Sequence, residues 1–510
     1  MKRLSDSPFL APALASIVSP LHLYISNSSQ VSAVELFIAL TLSLLLATAT
    51  YQSFFYYFQE REKSALLSTA FLFCFYSFGH FTNSLVSLAS ANAHGTDAVH
   101  TLELAVLVTL SIAFLILLIT TGFFIEKQNK SLTSFRIFLR NFLAILIAII
   151  TLTNVNALTP KRDTTRLPAP TLPHTLETPD IYFIVLDGYA PEKTLHTYYQ
   201  FDNSLFTSFL KRKNFQLPSN STSNYQWTFL SLASTLSMKY LDELGENPGK
   251  LSVDRSKAFT ILRNNEVAKV LRSLGYSFIQ LASTYTATAE NPFADKLLSC
   301  RSSWFNKEFI RVLFETSALR LLTSEVSKNL AACHLKNFDN LKQIAKEKGP
   351  KFVFSHILPP HHPYLFDKKG NILESATVVN QFNFQEKLWE DKKRYLEQLQ
   401  FVNVKIMEVV ESILSNSTIP PVIIIASDHG PTLAATEASK EEITKVRFSN
   451  FLAVHTPGKT RVFNEDISLV NLFRALCQSY FGLDLPPLIN RHIVSTYQTP
   501  YQFSDFQINH

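Results

Sequence analysis

The chain has 510 residues, with 47 Lys and Arg against 41 Asp and Glu, a net charge of +6 that is too mild to mark a nucleic-acid binder. It is 46% hydrophobic and 12% aromatic, which excludes a disordered polymer. Only 17% is charged, and the deficit is local: residues 1–157 hold 8 Lys and Arg with 7 Asp and Glu, while the rest of the chain holds 39 and 34.

Four apolar stretches, residues 36–58, 65–86, 104–125 and 138–158, reach the length of about 20 residues that a membrane-crossing helix needs. A fifth, residues 8–25, is weaker and contains Pro8, Pro12 and Pro20. It follows Lys2 and Arg3, so a signal peptide competes for it. No small-residue cleavage site leads into a polar mature start, and an uncleaved helix is expected. Basic residues fall in alternate loops: Lys2 and Arg3, then Arg61 and Lys63, then Lys127, Lys130, Arg136 and Arg140. The two loops between them, 26–35 and 87–101, contain neither Lys nor Arg. Basic loops stay in the cytoplasm, so five crossings leave everything after residue 158 outside. Glu35 and Glu103 sit near segment ends, and His80 is the one ionisable group well inside. A transport path needs more, and residues 1–158 read as an anchor.

Pro160, Pro168, Pro170, Pro173 and Pro179 make residues 159–179 a semi-rigid spacer. The exported domain, residues 180–510, alternates short β-rich runs with longer amphipathic stretches. The predicted strands are 181–186, 276–281, 351–358, 421–426 and 450–454; the predicted helices are 203–213, 228–236, 318–346, 385–414 and 468–480. This alternation predicts an α/β sandwich around a mostly parallel sheet, with ligands bound beyond the carboxyl ends of its strands. With 12 glycines in all, no glycine-rich nucleotide cradle is present. Cys300 and Cys333 allow a disulfide or two buried thiols, and no C-x-x-C zinc pattern exists.

Two strand ends look alike. One runs into Asp187-Gly188, the other into Ser427-Asp428-His429-Gly430. Two carboxylates and an imidazole in one crevice call for a cation between them. Between these motifs, the polar run from Ser223 and Asn224 to Trp227 gives way to an apolar helix at Thr228. Its hydroxyl is either an ordinary helix cap or a nucleophile whose anion the helix end favours. His356, His361 and His362 follow a strand in a proline-stiffened loop and point to metal or anion contact. Arg447 is either phosphate-directed or a solvated charge at a strand edge.

The order "IVLDGYA", "SNYQWTFLSLAS", "SHILPPHHPY", "IIIASDHGP" and "RFSNFLAVHTPG" resembles the membrane-anchored, sulfatase-like branch of the alkaline phosphatase superfamily, which includes lipoteichoic acid synthases and phosphoethanolamine transferases. The resemblance implies a five-helix anchor in a bacterial inner membrane and an alkaline-phosphatase-like domain on the outer side. It implies a divalent metal, manganese or zinc, on Asp187, Thr228, Asp428 and His429, with Thr228 as the residue that becomes phosphorylated. His361 matches the family's loop histidine that contacts substrate or a second metal, His356 matches it less closely, and Arg447 and Asn224 complete the expected substrate contacts. The implied reaction moves a phospho-headgroup from a phospholipid donor to a cell-envelope acceptor, with water as the alternative acceptor. No C/S-x-P-x-R surrounds Thr228, which disfavours sulfate ester hydrolysis. The stretch after Asp-His-Gly lacks the family's second histidine, so one ion is expected, and a second is left open.

Overall fold

The computed structural model describes residues 7–27, 31–89, 96–128, 131–152, 178–300, 308–373, 388–459 and 462–508. Lys2, Arg3, Lys130 and most of the expected spacer lie outside the described residues. The chain divides into two units.

The first unit begins with α1 (Leu10–Ser26), α2 (Ala33–Phe58), α3 (Arg61–Ala89), α4 (Thr96–Glu126) and α5 (Thr133–Leu152). Ser32 and Glu35 close a reciprocal capping box that starts α2. Helices α2 to α5 are long and apolar enough to cross a membrane. Their outer faces carry exposed Phe37, Leu45, Ile112, Leu115, Phe142 and Ile145, and only 6% of the apolar window of α5 is buried. A surface of that kind suits lipid, not water. Among the described residues four helices reach a membrane-crossing length, and α1 is a shorter apolar helix of 17 residues with Pro20 inside it, so the expected count of five is approximate. Late sequence also enters this unit: the helix Glu308–Thr316 and the 3-10 turn Ala318–Leu322 pack with α1, α2 and α3.

The second unit is built on a six-stranded sheet in the order β3-β2-β4-β1-β5-β6. Its strands are β1 (Ile181–Leu186), β2 (Ser277–Leu281), β3 (Lys296–Leu298), β4 (Lys351–Ile357), β5 (Val422–Ala426) and β6 (Leu452–His455). The first five run parallel and β6 pairs antiparallel with β5. A separate hairpin-like pair joins β7 (His492–Val494) to β8 (Ser504–Phe506). The three-residue strands β3, β7 and β8 are too short to leave a sequence pattern. Every residue of β1, β4 and β5 is buried, as central parallel strands require.

Alternate side chains go to opposite faces. Ile181, Phe183 and Val185 join a core with α6 (Thr228–Ser237) and α10 (Leu469–Phe481), through Phe229, Leu230, Leu472 and Phe473. Tyr182 points the other way and meets Ser417, which ends α8 (Lys392–Asn416). There α8 packs on α7 (Thr323–Ile344) through an edge-to-face contact of Phe338 and Phe401. Cys300 and Cys333 form a disulfide, the bonded alternative of the two the sequence left open.

Candidate metal centre

The register of the sheet explains why the acidic motifs meet. Val185 on β1 pairs with His356 on β4 and with Ala426 on β5, so these three side chains share a face. Two residues further on, Asp187 and Asp428 emerge side by side on that same face, just past the strand ends. His356 lies one pleat behind them. It is the face that α6 covers, which brings Thr228, at the N-terminus of α6, to the same point.

Distances follow from that convergence. His429 Nε2 lies 3.2 Å from Asp428 Oδ2, 3.7 Å from Asp187 Oδ1 and 3.2 Å from Thr228 Oγ1. His356 Nε2 lies 3.3 Å from Asp187 Oδ2. Asp187, His356 and Asp428 are buried and offer ligand atoms within 4.8 Å of one another. Asp187 Oδ1, Asp428 Oδ2 and His356 Nε2 have no hydrogen-bond partner despite their burial. Buried polar atoms are rarely left so. Ligands held about 2.0–2.1 Å from a tetrahedral ion stand roughly 3.3 Å apart. The donor types, their spacing and their orphaned atoms therefore fit a divalent cation.

The surroundings hold these groups in place. His429 Nδ1 lies 3.0 Å from the Gly430 carbonyl, which fixes the proton there and turns Nε2 into an acceptor facing the carboxylates. Gly188 N–H donates to Asp428 Oδ1 at 3.1 Å, tying one acidic motif to the other. The Ser231 hydroxyl donates to the Asp428 carbonyl at 2.6 Å. His356 Nδ1 is held 2.9 Å from the Thr288 hydroxyl, and Tyr285 meets its ring edge-on. Neither Thr288 nor Tyr285 carries a sequence signal, because both come from a short polar stretch after β2.

Two carboxyls in one dry crevice cannot both ionise freely. Burial, and then the charge of Asp187, push the Asp428 carboxyl up to about 7. Burial also pushes Asp187 up, but the imidazoles of His361, His356 and His429 outweigh it and the net direction is down. Burial and the nearby Arg447 guanidinium hold His429 well below the usual imidazole range, in the neutral form a ligand requires. His334, buried near His356, is lowered to about 3 and stays uncharged.

The Thr228 hydroxyl is not the helix cap. Trp227 occupies that position without a side-chain cap bond, and Thr228 is the first helical residue, half-buried, with its Oγ1 turned to His429. Arg447 is not a strand-edge charge either. It is buried near the end of α9 (Lys440–Phe448), and donates to the Gln226 carbonyl, the Gly430 carbonyl and His429 Nε2, each at 3.1 Å. Trp227 and Trp389 flank its guanidinium. His361 stands at the rim, between His362 and Trp389, with Nδ1 2.6 Å from the His362 carbonyl. Trp389, absent from the expected set, thus contacts both His361 and Arg447.

Asn224 is not brought to the site. It accepts from Val470 N–H at 2.8 Å and donates to the Arg491 carbonyl at 2.9 Å, bracing the start of α10 and the strand β7. Asn224→Ala should lower the free energy of unfolding by about 2–3 kcal/mol, since it strands a buried Val470 N–H and a partly buried Arg491 carbonyl. Metal affinity should stay unchanged, and denaturant titration beside metal titration reads both.

No protein-family model and no curated protein matches the chain. Among solved structures, it is similar to the zinc complex of the C-terminal periplasmic domain of EcEptC from Escherichia coli. That match has 14% identity and a TM-score of 0.44, and covers 67% of this chain and 96% of the other. The C-terminal periplasmic domain of the phosphoethanolamine transferase EptC from Campylobacter jejuni matches at 13% identity and a TM-score of 0.38, over 60% and 90% of the two chains. The phosphonate monoester hydrolase of Agrobacterium radiobacter matches at 11% identity and a TM-score of 0.39, over 59% and 74%.

Proposed function

We propose that this chain is a membrane-anchored, divalent-metal-dependent phosphotransferase. In this reading it moves a phospho-headgroup from a phospholipid to a cell-envelope acceptor through Thr228. The observation that carries the reading is the set of buried Asp187, Asp428 and His356 atoms without a hydrogen-bond partner, beside a half-buried threonine hydroxyl at a helix N-terminus. Asp187, Asp428, His429 and Thr228 would hold the cation, manganese or zinc, with His356 close enough to join them. When bound, the cation supplies charge neutralisation for the phosphoryl oxygens and makes the hydroxyl more acidic.

The remaining steps belong to the chain's own residues. Thr228 Oγ1 attacks phosphorus in line, the bond from phosphorus to the lipid alcohol breaks, and that alcohol leaves protonated. The N-terminus of α6 favours the oxyanion of Thr228. Arg447 holds positive charge at the phosphoryl group, its guanidinium fixed between two indoles. His361, at the rim, moves the proton to and from the exchanging alcohols. An acceptor hydroxyl, or water, then displaces the phosphoryl group from Thr228.

The alternating basic loops and the Cys300–Cys333 disulfide support a multi-pass inner-membrane protein whose second unit faces the periplasmic or extracellular side. Full-length protein in detergent, given phosphatidylethanolamine and phosphatidylglycerol with manganese or zinc, should release diacylglycerol. It should also carry a chelator-sensitive mass increment on the Thr228 peptide, and the size of that increment names the group moved. Absence of any added mass with either lipid would remove the covalent step.

The cation takes the place of a proton. Asp428 holds one up to about pH 7, against an ordinary value of 3.8. Without metal, this carboxyl stabilises the fold below about pH 4 and loses that contribution as pH rises through about 7. Metal affinity should therefore strengthen by about tenfold per pH unit up to about pH 7 and level off above it. Calorimetric manganese titrations at three pH values test this, and a pH-independent affinity would contradict it.

A further inference from the structure

The sequence between β3 and α7 leaves the sheet-bearing unit and is built into the membrane unit. Three separate features hold it there. Phe309, Ile310 and Leu313, spaced to share one helical face, are buried with Tyr24 and Ile25 of α1 and Leu72 and Tyr76 of α3. At Gly79 on α3, an added Cβ would lie 1.9 Å from the Glu315 carbonyl oxygen and 2.6 Å from Thr316 Cα, so the last turn of the 308–316 helix rests directly on the α3 backbone. Close backbone approach at a small residue is how helices pack where lipid supplies no hydrophobic drive.

The third feature is polar. Arg320, 2% exposed, donates through Nε to Glu103 Oε1 of α4 at 3.0 Å and through Nη1 to Asn83 Oδ1 of α3 at 2.5 Å. A second Arg320 nitrogen, Nη2, also donates to Glu103, which is itself 7% exposed. A buried arginine persists only when its charge is met, and here Glu103 of α4 meets the charge while Asn83 of α3 accepts a further N–H. Asn83 and Gly79 lie in the last third of α3, Glu103 near the start of α4, and Tyr24 at the end of α1. All three helix ends border the loops without Lys or Arg, the side on which residues after 158 emerge.

We infer that residues 308–322 are a second attachment of the exported domain, a dock on α1, α3 and α4 that holds without the 159–179 spacer. Its occupant is the chain itself. The inference does not depend on what the site turns over.

The test uses the full chain in native membranes, with a specific protease site placed in the spacer. After complete cleavage, the fragment that starts beyond the cut should sediment with the membranes. Gly79→Leu should release at least about tenfold more of it into the soluble fraction. Arg320→Glu and Glu103→Arg should each release it, and the two together should restore retention, which simple misfolding would not do. Release from the unaltered chain on cleavage, retention in Gly79→Leu equal to the unaltered chain, or failure of the charge swap to restore binding would each overturn the dock.

Discussion

Thr228→Ala should abolish phosphoryl turnover, lowering kcat by at least about 10⁴-fold, the scale on which loss of a covalent nucleophile registers. The substitution is otherwise mild. Thr228 is half-buried at the first position of α6 and is not its cap, so stability should shift by no more than about 1 kcal/mol. The neighbouring donors Asp187, Asp428 and His429 remain, so metal should still bind with reduced affinity. Thr228→Ser keeps the hydroxyl at the same atom and should retain activity within about 100-fold, with the mass increment moved to serine. This pair separates a nucleophile from a packing residue. If Thr228→Ala turned over lipid as fast as the unaltered chain, the oxygen would have to come from elsewhere in the crevice.

How far the site was legible depends on whether local pattern or register placed each residue. The Asp187-Gly188 and Asp428-His429-Gly430 motifs could be read because each directly follows an apolar run, and strand ends are where parallel sheets expose side chains. Thr228 could be read because a polar stretch turns apolar there. His356 could not be placed with the carboxylates, since its membership depends on pairing with Val185 across β4 and β1, and pairing register leaves no mark on a single strand. Sequence proximity places it with His361 instead. Arg447 reads either as phosphate-directed or as a strand-edge charge because β6 follows closely; its burial depends on the turn of α9 and on two tryptophans 162 residues apart in sequence. Glu103 read as a charge near a membrane boundary, and its partner Arg320 comes from 217 residues later. The strand–helix alternation was readable, but nothing local announced that residues 308–322 would join the first unit, because an amphipathic helix has the same pattern whichever apolar surface it covers.

Gly430→Ala should be the most disruptive single methyl in the second unit. A Cβ at Gly430 would stand 2.0 Å from the Val446 carbonyl oxygen and 2.4 Å from that of Ser449. Both atoms are backbone at the end of α9, so no side chain can rotate away, and the helix end itself must retreat by more than 1 Å, roughly the deficit from a normal contact. That helix end is stitched to the site: Gly430 N–H donates to the Arg447 carbonyl at 2.9 Å, and Arg447 donates back to the Gly430 carbonyl. Displacing it drags Arg447 away from His429 and frees the imidazole tautomer that Gly430 fixes. A loss of about 3–5 kcal/mol in stability is expected, together with at least about 100-fold weaker metal binding. Gly188 provides the contrast. Its φ of +63° and the Trp389 ring carbon 2.6 Å from an added Cβ also resist alanine. There, however, the obstacle is the edge of a side chain that can tilt, and the backbone strain is about 1 kcal/mol. Gly188→Ala should therefore cost about 1–2 kcal/mol and keep its metal. Denaturant midpoints and metal stoichiometry for the two variants give the ranking directly, and a Gly188→Ala protein less stable than Gly430→Ala would mean that the junction of β5 and α9 does not brace the site.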